Sequence, residues 1–300
     1  MRRVLARLGS QYCCVGPVLM VLSALTASSS RAAPPANEVY TSEVKTLHTR
    51  DGGPLRITYY PSVKGRESPV VVLLHMKDGN RLIWQGKGGF AERLQHEGYA
   101  VITVDLRFHG ESRPGGGAAV VGNSNPDSGK KGTGKKAAST ELRPADYRAM
   151  WEIDVETVKN FIYEEHQAER LNMNKMGIVA AEMGAVIAVR FAVNDWMEEP
   201  HSDAPPGSGF ETPRGQDVRA LVLISPVASV PGIVMAQALQ GLRPFPVAMS
   251  FNVSAGDTKD KGETKKLYGA AAAFDKEHKR IFLQDKYPGK LRGTDMLNAK

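Results

Sequence analysis

The sequence predicts an α/β fold, in which a central, mostly parallel sheet is flanked by helices on both faces. Short apolar runs rich in β-branched residues recur along the chain, as in strands buried on both faces. Stretches of helical length separate these runs, and such alternation is typical of a parallel sheet. Polar and glycine-rich clusters follow several runs, at the strand ends where sites form in these sheets.

The composition is that of an ordinary globular protein, with 42% hydrophobic and 24% charged residues in 300. This excludes a chain that is mostly disordered, collagenous or membrane-spanning. The formal net charge is +7, but the first 34 residues contain four arginines and no acidic residue. The remainder has 35 basic and 32 acidic residues, a surplus too small to indicate a nucleic-acid partner.

The N-terminus has the order of a signal peptide. Two arginines precede an apolar stretch at residues 15–27, and small residues follow. The stretch is short for a bilayer span. We therefore predict that residues 1–34 are a signal peptide, that the protein is exported (periplasmic or secreted), and that no membrane span remains. An uncleaved anchor is the alternative. Cys13 and Cys14 both lie here, so the mature chain is expected to lack disulfides and Cys-bound metals.

Seven or eight strands are expected. Period-two alternation over residues 55–60 predicts a strand at a sheet edge. Continuous apolar runs at 70–74, 99–106 and 176–180 predict three adjacent central strands, because such runs require burial on both faces. Shorter runs extend the series at residues 221–224, 247–253 and 280–283.

Four helices are expected between the strands, and together these elements predict a single domain over residues 38–300. One helix begins at Pro144, a residue suited to a first turn. The four are expected at 90–97, from 144 with Trp151, Val155, Val158 and Ile162 on one face, at 185–193 and at 267–274. Segments near 113–140 and 200–216 are rich in Gly, Pro, Ser or Lys and are predicted to be loop insertions.

Four strand ends carry the residues that bear on function. His75 and Met76 follow the first central run, and residues 105–112 (DLRFHGES) follow the second. The third run passes straight into a helix through residues 180–184 (AAEMG). The last strand leads to residues 291–297 (LRGTDML).

In this order the segments resemble the α/β-hydrolase superfamily, particularly its serine esterases and dienelactone-hydrolase-like members. Residues 105–112 look like its D-x-R-x-H-G-x-S segment. His75 and Met76 lie where the superfamily has its oxyanion-hole turn. Residues 180–184 lie where it has G-x-S-x-G, so Met183 follows the nucleophile position. The resemblance covers residues 39–300 and implies an α/β-hydrolase fold.

The same resemblance reveals two replacements in the catalytic triad. Glu182 stands at the nucleophile position, and Arg292 stands where the catalytic histidine is expected. The acid position remains, as Asp257 or Asp260. Acyl transfer needs a hydroxyl nucleophile and a base that accepts its proton. Glu182 has no hydroxyl, and an arginine keeps its proton at physiological pH.

We therefore expect no ester hydrolysis at the usual site. The favoured interpretation is a pseudoenzyme that binds a small molecule or protein partner, with no cofactor, metal or nucleic acid. One alternative is an enzyme that uses Glu182 or Asp105 as general base, with His75 or His109 nearby. Another is a hydrolase with a different nucleophile, for which the candidates are Ser225, Ser250 and Ser254.

The two replacements also predict a contact. In active members of the superfamily the nucleophile and base lie within hydrogen-bond reach, so Glu182 and Arg292 are expected to be neighbours. A guanidinium beside a carboxylate supplies paired donors. We predict a salt bridge between them, with Asp257 or Asp260 contacting Arg292 from behind.

Overall fold

The computed structural model describes residues 41–86, 88–113, 141–200, 214–273, 275, 277 and 279–297. Within these ranges, eight strands form the main sheet and two more form a small hairpin. In chain order the strands are β1 Glu43–His48, β2 Pro54–Tyr60, β3 Pro69–Leu74, β4 Ala100–Val104, β5 Asn172–Ala181, β6 Val218–Ile224, β7 Ser229–Val230, β8 Ile233–Val234, β9 Ala248–Ser254 and β10 Ile281–Tyr287.

In the described part of the chain, six α-helices connect the strands. They are α1 Phe90–His96, α2 Pro144–Ala149, α3 Val155–Gln167, α4 Met183–Trp196, α5 Met235–Leu242 and α6 Glu263–Ala272. A π-helical turn, Met150–Asp154, joins α2 to α3, so the helix predicted from Pro144 is continuous but locally widened. Three short 3-10 segments complete the described elements, at Gly65–Glu67, Arg81–Trp84 and Gly293–Leu297.

The main sheet has the strand order β1-β2-β4-β3-β5-β6-β9-β10. Only the pairs β1–β2 and β2–β4 are antiparallel, and the other pairs are parallel. The three strands predicted at the centre are indeed adjacent, with Val72 opposite both Ile102 and Ile178. The predicted fold class is therefore confirmed.

Both faces of the sheet are covered, as the continuous apolar runs require. Along β3, Val70, Val72 and Leu74 belong to one apolar cluster with residues of α3 and α4. Val71 and Leu73 belong to a second cluster, which includes part of α1. Because successive strand residues point to opposite faces, a strand covered in this way has no position for a polar side chain until it ends.

The prediction that residues 55–60 form an edge strand is wrong. They belong to β2, which lies second in the sheet, and β1 covers its outer side. Strand β1 was not predicted, because its side chains are mostly exposed and no apolar alternation marks it. Helix α5, which has four buried residues, was missed as well.

Two further predictions fall on segments that the structure does not describe. The signal peptide proposed at residues 1–34 lies entirely outside the described ranges. The loop insertions near 113–140 and 200–216 lie outside them except for residues 113, 200 and 214–216. Of the helices in the described ranges, none combines the length and the hydropathy that a bilayer crossing needs.

Candidate functional site

Glu182 occupies a strained turn at the carboxyl end of the central strand β5. Its backbone has φ 48° and ψ −110°, a region that non-glycine residues rarely adopt and that is typical of functional sites. Strand β5 ends at Ala181 and α4 begins at Met183, so one residue reverses the direction of the chain. The backbone N–H of Glu182 donates to the carbonyl of Ile224, 2.9 Å away on β6.

Gly184 explains how the helix can start so close to the sheet. A Cβ atom at this position would lie 2.6 Å from the carbonyl oxygen of His75 and 2.8 Å from that of Leu74. These are backbone atoms of the β3 end and cannot move aside cheaply. The glycine that ends the AAEMG segment is therefore required by the close packing of α4 on β3.

Arg292 joins the turn to two carboxylates. Its Nε donates to Oε1 of Glu182 at 2.7 Å, and its Nη1 donates to Oδ2 of Asp257 at 2.8 Å. The predicted salt bridge between Glu182 and Arg292 is thus confirmed. We call these three residues the clasp. The Asp257 side chain is 3% exposed, whereas those of Glu182 and Arg292 are 20% and 21% exposed.

Of the two candidate aspartates, Asp257 is the one that contacts Arg292. It follows β9, and its Oδ1 also accepts the backbone N–H groups of Lys259 and Asp260. Asp260 has a different task, because its carboxylate accepts the backbone N–H and the hydroxyl of Thr264 in the first turn of α6. Asp260 therefore stabilises the start of a helix.

Of the residues predicted at the oxyanion-hole turn, Met76 lies beside the clasp. A Cβ on Gly293, which has φ 55°, would lie 3.1 Å from Sδ of Met76 and 3.6 Å from Oε1 of Glu182. Met76 thus packs against the chain just after Arg292. Met183 is buried at the first position of α4, where backbone N–H groups have no partner within the helix.

Several solved structures of similar architecture are hydrolases. A dienelactone hydrolase from Anabaena variabilis has a TM-score of 0.54 at 12% identity, covering 84% of this chain and 87% of that chain. A Pyrococcus furiosus esterase has a TM-score of 0.52 at 14% identity, covering 83% of each chain. The hyperthermophilic Pyrobaculum calidifontis esterase has a TM-score of 0.51 at 13% identity, covering 87% of this chain and 78% of that chain. The chain has the α/β-hydrolase fold.

Sequence comparisons add nothing to this assignment. No family model matches the chain. No curated protein matches it either. Identities of 12–14% establish the hydrolase fold alone, so the chemistry must be argued from the residues of the site.

His75 is a structural residue of this hydrolase fold. Its ring is fully buried, and Nε2 accepts the backbone N–H of Leu106 at 3.1 Å. Nδ1 therefore carries the proton and donates to the carbonyl of Met76 at 2.7 Å. Burial, together with the neighbouring His109, lowers the pKa of His75 to about 3. A neutral ring with both nitrogens engaged cannot accept a proton from a nucleophile.

Asp105, the other proposed general base, is bound by arginine. It is fully buried, and its Oδ2 accepts Nη1 of Arg81 at 2.6 Å and the N–H of Glu111 at 2.9 Å. Arg81 is 4% exposed and reaches Glu111 with its other terminal nitrogen, Nη2, at 3.0 Å. A Cβ at Gly110 would lie 2.3 Å from this carboxylate. The DLRFHGES segment thus folds around Asp105 rather than exposing it.

The rest of this segment is structural as well. Arg107 donates to Asp154 through its backbone N–H and its guanidinium, at distances of 2.7–2.9 Å. His109 is buried against His75, with ring centroids 4.7 Å apart, and its Nδ1 lies 2.9 Å from the carbonyl of Arg107. Burial lowers the pKa of His109. None of these contacts involves Glu182.

The three candidate serines are occupied by structural contacts. Ser225 is fully buried with φ 45°, and its Oγ accepts the N–H of Gly293 at 3.1 Å. Ser250 Oγ contacts the Asn252 side chain, and Ser254 Oγ donates to the carbonyl of Gly289. In the described residues, no histidine or carboxylate contacts any of the three hydroxyls. No described group of three or more His, Cys, Asp or Glu side chains is arranged to hold a metal ion.

Proposed function

We propose that this chain is an exported, non-catalytic protein with a hydrolase fold, which acts by binding a small molecule or a protein partner. One observation carries the proposal. At the turn where this fold presents a nucleophile, a carboxylate is joined by an arginine to a second carboxylate, at 2.7 and 2.8 Å. The clasp holds the site together by charge, supplies no hydroxyl nucleophile, and engages both carboxylates with the guanidinium of Arg292.

Covalent catalysis through Glu182 itself is also disfavoured. A carboxylate nucleophile would form an acyl or alkyl ester, which a base-activated water must then hydrolyse. The group beside Glu182 is Arg292, which stays protonated and cannot activate water. Arg292 also binds Oε1 of Glu182, so attack by this oxygen requires breaking a charge-assisted hydrogen bond.

An ester panel with an active-site probe tests the proposal. Purified mature protein is assayed with short-chain p-nitrophenyl esters and a dienelactone, and is treated with a fluorophosphonate probe. A serine esterase of the same fold is the positive control, and heat-denatured protein gives the background. We expect neither turnover nor labelling above background. Turnover, or labelling at any serine of the native protein, would overturn the proposal.

A double variant asks whether the clasp replaced a triad that is otherwise complete. Glu182→Ser with Arg292→His places the usual nucleophile and base around Asp257. If the rest of the site is intact, this variant gains labelling by the fluorophosphonate probe, whereas Glu182→Ser alone does not. Folding of both variants is checked by circular dichroism before the assay.

Export is tested separately. The full-length chain is expressed in a bacterial host, periplasm and cytoplasm are separated, and the N-terminus of the recovered protein is sequenced. We expect periplasmic recovery with a new N-terminus near residue 34. Recovery only from the cytoplasm with the N-terminus intact would contradict the export part of the proposal.

A further inference from the structure

A groove that is lined by no residue of the clasp contains a cation with no described counter-ion. Helix α4 is buried at every position except Arg190 and Asn194. The guanidinium carbon of Arg190 lies 4.7 Å from the ring centroid of Trp151, on the π-helical turn. Among the residues that the structure describes, no carboxylate lies within ion-pair distance of Arg190.

The groove has a volume of about 690 Å³, within the range of small-molecule sites. The apolar part of the groove lining includes Trp151, Ile233 and Val234. Its polar part includes Arg148, Arg190 and Gln237. Trp151 is buried, whereas Val234 is 46% exposed. The groove therefore pairs an apolar surface with a guanidinium fork that is already held in place.

The local charge favours a monoanion. Arg148 also lines the groove, but its Nε is bound to Glu152 at 2.7 Å, which offsets its charge. Arg190 is the one lining cation that no described carboxylate neutralises. Its fork matches the two oxygens of a carboxylate, and stacking on the indole ring limits its freedom. A dianion such as phosphate would leave one charge uncompensated.

We propose that this groove binds a small organic acid, with its carboxylate on Arg190 and its apolar body along Trp151 and Val234. The site is independent of the clasp, since no residue of the clasp lines it. The proposal therefore holds whether or not the turn at Glu182 is catalytic.

Octanoate is the probe, titrated into mature protein by calorimetry. We expect saturable binding, and at least about tenfold weaker binding of 1-octanol and of inorganic phosphate, because each lacks one half of the required chemistry. Absence of octanoate binding at millimolar concentration would overturn the proposal. Equal binding of octanoate and octanol would do the same, because it would remove the role of the carboxylate.

Variants locate the site. Arg190→Gln is expected to weaken octanoate binding at least about tenfold. Gln237→Glu, on the exposed rim, places a competing carboxylate in the same groove as Arg190 and is expected to have a similar effect without disturbing the core. The matched control is Arg219→Gln, since Arg219 is also stacked on a tryptophan, Trp196, at 5.3 Å but lies outside the groove.

The control is expected to bind octanoate as the unmodified protein does. Unchanged binding by both Arg190→Gln and Gln237→Glu would overturn the proposal. So would an equal loss in Arg219→Gln. Thermal melts of all three variants check that a loss of binding does not reflect a loss of fold.

Discussion

Two arginines in this molecule each form ion pairs with two carboxylates, but they differ in burial. Arg81 joins Asp105 to Glu111, and Arg292 joins Glu182 to Asp257. Each guanidinium thus bridges two carboxylates. Arg81 is 4% exposed beside a fully buried Asp105, whereas Arg292 is 21% exposed.

From this difference we expect burial, rather than the number of ion pairs, to determine how much such a bridge contributes to stability. Removing one partner of a buried pair leaves a charge without solvation, whereas water replaces the partner of an exposed charge. Arg81 is therefore expected to be a structural requirement of the hydrolase fold. The clasp is expected to be a local tie between the β5–α4 turn and a segment 110 residues further along the chain.

The largest effect is expected from Arg81→Met. It leaves the carboxylate of Asp105 buried without its cation, a change that usually costs about 3–5 kcal/mol. Urea unfolding of the mature protein measures the loss. Arg56→Met is the control, since the Arg56 side chain is 36% exposed and binds the other oxygen of Glu111. If the two variants lose equal stability, burial does not distinguish the two kinds of bridge.

A smaller effect is expected from Arg292→Met. The loss should be about 1.5–3 kcal/mol, the typical contribution of a hydrogen bond to a charged group. Most of the loss should come from Asp257, because it is 3% exposed and Glu182 can be hydrated. The double variant Arg292→Met with Asp257→Asn is therefore expected to recover part of the stability. A loss as large as that of Arg81→Met would contradict the comparison.

The third expectation concerns pH. Burial lowers the pKa of His75 from 6.5 to about 3. Between these pH values His75 binds a proton in the unfolded chain but stays neutral in the folded chain. Stability is thus expected to fall as the pH drops from about 6.5 toward 3, by up to about 1.4 kcal/mol per pH unit for this one group. His109, with a pKa also lowered by burial, acts in the same direction.

Unfolding free energies measured between pH 6.5 and 4.5 test this expectation, because this range lies above the ordinary glutamate pKa. The His75→Asn variant should show a shallower pH dependence than the parent. Below pH 4.5 a further loss is expected from Glu111, since the hydrogen bond from Arg81 lowers the pKa of this carboxyl. An unchanged slope in His75→Asn would contradict the assignment.

The smallest effect is expected from Glu182→Gln. The amide oxygen still accepts the hydrogen bond from Arg292, and Glu182 is 20% exposed, so the loss should be about 0–1 kcal/mol. The unfolding free energies of this variant and of Arg292→Met are compared. Glu182→Gln removes only the charge of Glu182, whereas Arg292→Met removes the arginine that holds the turn. A loss above about 2 kcal/mol would show that the turn depends on the carboxylate.

Much of the sheet was predictable, because burial on both faces leaves an unmistakable run such as VVVLL in β3. The contact between Glu182 and Arg292 was predictable as well, since the AAEMG segment and the final strand end identify their places in a known fold. Strand β1 was not, because exposed side chains carry no apolar pattern. The contacts of Asp105 and Ser225 were not predictable either, since no motif pairs these residues with their partners Arg81 and Gly293, which lie 24 and 68 residues away.

The sequence alone determined the layered fold and the adjacency of the three central strands, and it predicted Glu182 and Arg292 at the positions where the superfamily it resembles has a serine and a histidine. Local patterns suffice for these, because strand burial and residue identity are properties of short segments. Only the tertiary structure decided which aspartate supports Arg292, that His75 is neutral, and that Arg190 faces a groove. Each depends on the distance and burial of groups far apart in the chain, and these arise only when the segments pack together.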